Sequence, residues 1–469
     1  MTVKPSPTQL LDVIESLSEI TYAEARFHER RSMEVRVSQG KLEQSRINLL
    51  SGVSFRVLCD GAWGFSSTAE TRKGELKKAF SDAVSVARSS SNAKAQEVRL
   101  GKADLAVGTF TTRQRGPLDS HSLEEKVKLV VDTEKGARSY SERVKSAICS
   151  YREIIDEKVI VTSDGASAEL YDFKPEFAVT AIASEGEKVM TAAESVGVTG
   201  GWIDLFEKGS PEEMAKRASE IAVRLLGARQ PKGGPATVIL DPGMVGLISH
   251  EAIGHTVEAD FVLAGSVVKG KIGQQVASEM ITLVDSGLSE RQHSGAGTVL
   301  VDDEGVIAQE TVVIDKGIMN SYLHNRETAK LFDVASTGNA RAFVYSDDPL
   351  IRMRNTYIEP GDYDFEEMVR EIPQGYYLKG PLGGQADANG EFMFGAQEAY
   401  AIEKGEIREL LRGVTISGQA FDALKSVDAV GKDFAFGIGS GYCGKWQLAK
   451  VDGGGGHLRC KATIGGIQQ

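Results

Sequence analysis

The chain has 469 residues, 41% apolar and 26% charged, with a net charge of −12. This is a globular balance with material for two or three domains, and acidity without a long Lys/Arg run excludes a broad basic surface for nucleic acid. The N-terminal "MTVKPSPTQLLDVIESL" lacks the apolar stretch of a signal peptide, and no apolar run has the length of a membrane span. A cytoplasmic protein with no membrane or nucleic-acid partner is therefore expected. Four scattered cysteines, Cys59, Cys149, Cys443 and Cys460, point to reduced thiols or a metal ligand, not to a disulfide framework.

Taken in chain order, Ser6-Pro7-Thr8-Gln9 reads as an N-cap, a proline at the first helical position and a capping-box glutamine. Leu10, Val13, Ile14 and Leu17 then form one apolar stripe. Alternation follows at Met33, Val35 and Val37, and again at Val53, Phe55, Val57 and Cys59. Gly40, Gly52 and Gly61 punctuate these runs, which predicts an antiparallel meander. Helices are predicted near 73–90 and 122–139, and a second strand block from about Ala147 to Val198 with a turn at Asp164-Gly165. Ser210-Pro211-Glu212-Glu213 opens a further helix to Leu226, with Met214, Ala218, Ile221 and Leu225 on its apolar face. "GARQPKGGP", residues 227 to 235, has the composition of a linker. "VVIDKGIMNSYL" and "YAIEKGEIRELL" share a strand, an acidic-Lys-Gly turn and a strand; turn chemistry explains the match without an internal repeat.

The fold class these elements predict is α+β. An N-terminal domain of strand meanders with packed helices is expected over 1–228. A strand-rich C-terminal domain, its sheets largely antiparallel or mixed, is expected over 229–469.

"LISHEAIGHTVEAD", residues 247 to 260, raises a geometric question. Residues 236–240 read as a strand, Asp241 as a helix cap and Pro242 as the first helical residue, so His250 and His255 fall on or near a helix end. An α-helix turns about 100° per residue, so side chains five apart diverge by about 140° and cannot grip one ion. A π-turn or a helix break would bring them together, and Gly254 permits either. Two histidines need a third ligand. The candidates are Cys443, Cys460, His293, His324, His457, Glu258 and Asp260. Cys460 alternates with Leu458, Ala462 and Ile464 and reads as a buried strand thiol, as does Cys59 in its own alternating run. Cys443 sits in "FGIGSGYCGKWQ", a glycine-rich loop able to turn a sulfur into a cavity.

Six segments carry a resemblance: "HEAIGHTVEADF", "VDDEG", "STGNAR", "RMRNTYIEPG", "GGQADANGEFMF" and "GSGYCGK". In this order and at these separations the chain resembles the TldD metallopeptidases, which belong with the PmbA (TldE) proteins. The likeness is close over the C-terminal half; the N-terminal half matches mainly in length and arrangement. The resemblance implies Zn2+ held by His250, His255 and Cys443, with Glu251 as the catalytic glutamate. It also implies peptide hydrolysis with a zinc-activated water, a substrate class of short or unfolded peptides, and a dimer with itself or with a TldE-like relative. The family's metal-free branch lacks these ligands, and this chain keeps them. Two departures stand out: "GPLGGQAD" replaces three consecutive glycines before Gln385, and "CGKWQ" is a variant after the cysteine. Glu258 and Asp260 are expected to support the ligand imidazoles, and Gly383, Gly384 and Gln385 to line the substrate site beside a strand edge. A metal-dependent amide hydrolase on a non-peptide substrate, or a non-catalytic scaffold subunit of a TldD/TldE-like complex, are the alternatives.

Overall fold

The computed structural model describes residues 3–16, 20–92, 96–288 and 295–466. Leu17 and His293 lie outside them. Capping chemistry sets where the helices begin. Before helix Pro7–Ile14 the Ser6 amide donates to Gln9 Oε1 and the Gln9 amide to Ser6 Oγ. Helix Pro211–Gly227 opens the same way on Ser210 and Glu213. Helices Lys73–Ser91 and Leu123–Arg138 lie within a residue of their predicted spans. No helix among the described residues is long and apolar enough to cross a membrane.

The N-terminal half is built on one seven-stranded sheet. Its order is Ala62–Thr68, Lys41–Cys59, Tyr22–Ser38, Val144–Thr162, Ser167–Glu185, and the last of these also pairs with Val107–Thr111 and Lys188–Gly197. Only Val107–Thr111 runs parallel to its neighbour; the rest is the antiparallel meander expected. Gly52 does not end a strand, because Lys41–Cys59 runs through it unbroken. A Cβ there would stand 2.5 Å from the Tyr345 ring and 2.6 Å from the Thr68 carbonyl oxygen, so this glycine serves a close approach.

The period of two sorts this sheet into unlike faces. Odd-numbered residues such as Phe27, Val35, Val57, Cys149 and Val161 are buried under the four helices. Even-numbered residues on the other face carry ionisable side chains and are also buried: Glu24, Arg26, His28, Arg56, Asp156, Lys174 and Glu176. They meet the C-terminal half. Arg56 Nη1 lies 2.7 Å from Glu304 Oε1, and Lys158 Nζ lies 2.7 Å from Asp303 Oδ1. Lys174 Nζ donates to the carbonyls of Ala296 and Thr298 at 3.0 and 2.8 Å, and Lys450 pairs with Glu176. Asp303 and Glu304 of "VDDEG" thus join the halves, while Asp302 accepts from the Glu304, Val306 and Ala340 amides within the C-terminal half. Charges this deeply buried persist only when paired.

In the C-terminal half five strands close into a barrel: Gln374–Ala386, Gly234–Leu240, Leu458–Gly465, Val414–Gln419 and Glu391–Glu403, the last pairing back with the first. A second, six-stranded sheet contains Leu283–Ser286, Glu310–Asp315, Asn355–Ile358 and Asp452–Gly455. The two Lys-Gly turns, Lys316-Gly317 and Lys404-Gly405, have positive φ at both residues, as a type I′ hairpin requires. They lie in different sheets, so a shared turn accounts for their similarity.

Helix Pro242–Leu247 follows strand Gly234–Leu240 and packs on both sheets, sharing one core with Leu240, Phe392, Phe394 and Leu458. It presses directly on the glycine strand Asp452–Gly455. A Cβ at Gly246 would stand 2.4 Å from the Gly453 carbonyl oxygen. Gly246→Ala should therefore push helix and strand apart and lower the apparent melting temperature by at least about 3 °C. Gly136→Ala, at an open and exposed helix position, should hold or raise it. Equal melting of the two variants would show that the helix does not depend on this contact.

Candidate metal centre

The helix that begins at Pro242 changes its hydrogen bonding where the histidines stand. Asp241 Oδ1 accepts from the Met244 amide at 2.8 Å, and six α-helical residues follow. Ile248–Gly254 is then a π-turn, and His255–Val257 a 3₁₀ turn. The His255 amide donates to the His250 carbonyl, five residues back. The wider turn returns the two side chains to one side, with their rings 5.3 Å apart. Gly254 itself has ordinary helical angles, φ −56° and ψ −44°. A Cβ there would overlap Met353 Sδ at 1.9 Å, so it is required for space and not for backbone freedom.

Cys443 is not on an irregular loop, as the glycines suggested. It lies on strand Tyr442–Lys445, which pairs with Gln447–Lys450 in a hairpin turning on Trp446. The strand period puts Cys443 and Lys445 on the same face, and both side chains are buried. The fully buried Arg352 holds the two arms, donating to the Cys443 and Gln447 carbonyls at 2.7 Å each. Its neighbour Arg354 is anchored on Asp285, which also accepts from Asn339 and Thr356.

These elements bring donor atoms of His250, His255 and Cys443 within 4.8 Å of one another. His255 Nε2 lies 3.1 Å from Cys443 Sγ, and its Nδ1 lies 3.0 Å from Glu258 Oε2. Glu251 Oε2 is 3.8 Å from His255 Nε2 and faces a cleft. Burial pushes the Cys443 thiol up, but the imidazoles of His250 and His255 outweigh it and bring it down to about 5. Burial likewise pushes His255 down, while Glu258 and Cys443 carry it up to about 10. Burial raises the Glu258 carboxyl, yet His255 and Lys445 hold it below its ordinary range.

Asp260 does not reach an imidazole. Its carboxylate lies 2.7 Å from Lys445 Nζ, which in turn lies 3.2 Å from Glu258. It therefore acts one contact further out than expected. Gly383, Gly384 and Gln385 do not line the cleft; Ala386, Asp387 and Ala388, further along the same segment, do. Cys460 is a core residue whose thiol burial pushes up to about 12. His324 bonds Thr328, and His457 contacts Tyr377 and Asp433, both away from the cluster. Lys445 and Arg352 went unassigned in the sequence; the readable signal for Lys445 was its place two residues after Cys443.

The donor set fits a zinc ion. Both ring nitrogens of His250 are buried without a hydrogen-bond partner, a costly state for a polar atom, and a bound cation would satisfy one of the two. Two imidazoles and a thiolate are zinc donors. Three family models cover the chain: PmbA/TldA metallopeptidase domain 1 over 23–87, the central domain over 116–226, and the C-terminal domain over 233–462. A "Metalloprotease" of Methanothermobacter thermautotrophicus is 36% identical over 452 residues, 95% of this chain and 96% of the relative. A "Zinc metalloprotease TldD homolog" of Saccharolobus solfataricus is 31% identical over 454 residues, 95% and 97% of the two chains. The fold is also that of TldE from Thermococcus kodakarensis, with TM-score 0.76 and 18% identity over 98% and 99% of the chains. With those matches the fold and its donor cluster define a metallopeptidase class. The chain belongs to the PmbA/TldD metallopeptidase family.

Because Arg352 ties both arms of the hairpin, Arg352→Met should free it. Hydrogen exchange at amides 443–449 should rise by at least about tenfold, while strand Tyr22–Ser38 is unaffected. Unchanged exchange in the hairpin would remove Arg352 from this role.

Proposed function

We propose that this chain is a zinc-dependent peptidase acting on short or unfolded peptides. The observation that carries the reading is the convergence of His250, His255, Cys443 and Glu251 beside one open cleft of about 410 Å3. The two imidazoles and the thiolate would hold the ion and leave a fourth position open. Bound there, zinc supplies Lewis acidity toward a carbonyl oxygen and toward water. The protein supplies the proton transfers. The Glu251 carboxylate takes the proton of the attacking water and returns it to the leaving amine nitrogen. Glu258 accepts from His255 Nδ1 and so keeps Nε2 free as the donor atom.

Backbone geometry favours an extended substrate. Strand Gln374–Ala386 pairs on both sides only over Tyr376–Leu378; among the described residues, beyond Gly380 it pairs only with Glu391–Glu403. Its other edge leads toward Ala386 at the cleft. An extended peptide can add to such an edge, whereas a folded chain has already paired its amides. The proposed partner is a second copy or a TldE-like relative. Residues 41–51 form an edge with no outer ladder partner among the described residues, and Leu42, Ile47, Leu49 and Leu50 are exposed on it.

Metal analysis tests the ligand set. Purified protein should carry about one zinc per chain. His250→Ala, His255→Ala and Cys443→Ala should each lose most of it, while Cys460→Ala keeps it. Loss in Cys460→Ala with retention in Cys443→Ala would make the third ligand wrong. Glu251→Gln tests the chemistry. It should fold and keep its zinc, and peptide hydrolysis should fall by at least about a hundredfold. Near-normal turnover in that zinc-loaded variant would move the general base elsewhere.

A further inference from the structure

Trp446 stands at the tip of the hairpin that carries Cys443, and its side chain contradicts its backbone. Six non-glycine residues among those described have positive φ: Gln39, Asp60, Lys316, Asp333, Lys404 and Trp446. The first five are polar, as surface turns favour. Trp446, at φ 59°, is the apolar one. A left-handed backbone disfavours a bulky side chain, and glycine or asparagine would relieve the cost. Nor is that cost offset by burial, because Trp446 is 87% exposed. The largest apolar side chain has been set where folding gains least from it. Strain of this kind collects at functional sites.

Its surroundings indicate the function. Trp446 lines the same cleft as Glu251 and His255. Phe261 bridges the space between: its ring centroid is 6.2 Å from that of His255 and 6.5 Å from that of Trp446. Lys445 Nζ, in the same cleft, lies 4.2 Å from the Phe261 ring centroid, and Lys445 is fixed by Glu258 and Asp260. A step of 6.2 Å corresponds to about two residues of extended peptide. An aromatic wall thus begins beside the candidate zinc ligand and ends on an open indole.

Resting on the peptidase reading, we propose that Trp446 and Phe261 form a specificity site that takes an apolar side chain, aromatic above all, within a few residues of the scissile bond. An aromatic substrate side chain would stack on the indole and cover the exposed face. Trp446 is a specificity residue; it takes no part in proton transfer.

The test uses capped pentapeptides Gly-Gly-X-Gly-Gly, with X as Phe, Leu, Lys or Gly, so that the single side chain sets the register. Binding is measured by calorimetry on the zinc-loaded Glu251→Gln protein, alone and combined with Trp446→Ala or Trp446→Phe. Hydrolysis is measured on the same Trp446 variants with Glu251 intact. The Phe peptide should bind at least about tenfold more tightly than the Gly peptide. Trp446→Ala should erase most of that gap, and Trp446→Phe should restore much of it. An equal gap in Trp446→Ala overturns the proposal, as does a change in oligomeric state by sedimentation with the gap intact. Binding of apolar peptides through Trp446 without any cleavage would sink the peptidase reading alone. Cleavage with no preference at X would sink the specificity site alone. Absence of binding for every peptide would sink both.

Discussion

A single backbone hydrogen bond, from the His255 amide to the His250 carbonyl, organises this molecule's candidate site. In an α-helix the His255 amide would reach residue 251, and the two imidazoles would point apart. The π-turn costs regular helix geometry, and the surroundings are built to hold it. Gly246 lets the preceding turn lie on the glycine strand, and Gly254 leaves room for Met353. Arg352 fixes the hairpin that brings Cys443 opposite. Each contact depends on the helix remaining where the distorted turn needs it.

Electrostatics follow from that placement. Desolvation alone would disfavour the charged forms of the Cys443 thiol and the part-buried His255 imidazole. Here they face one another, with Glu258 behind His255 and Lys445 behind Glu258. The alternation of sign along this row keeps a carboxylate buried beside an imidazole. The same logic operates at larger scale between the two halves, where the charged face of the N-terminal sheet meets Asp303 and Glu304. An apolar joint would have tolerated sliding; a lattice of buried ion pairs fixes orientation, at a cost in desolvation that only complete pairing offsets.

Much of this was legible in the residues. Capping boxes at Ser6 and Ser210 act through local hydrogen bonds, so their helices could be read directly. The alternation around Val35 and Phe55 reports a face that is buried whatever the tertiary context. The five-residue histidine spacing demanded a distortion, because helix geometry allows no other way to bring such side chains together. What could not be read depended on contacts far apart in sequence. Gly52 looked like a strand end because its partner is Tyr345. Cys443 looked like a loop residue because its hairpin turns on one residue and carries a glycine beside the sulfur. Asp260 looked like a partner for an imidazole, but Lys445 arrives from another element and takes it.

The π-turn and the hairpin bring two imidazoles and one sulfur together as one candidate zinc site. X-ray absorption at the zinc edge of the loaded protein tests it most directly. Two nitrogen scatterers at about 2.0–2.1 Å and one sulfur at about 2.3 Å are expected, the sulfur lost in Cys443→Ser. A shell of nitrogen and oxygen alone in the unaltered protein, or a sulfur that persists in Cys443→Ser, would contradict it.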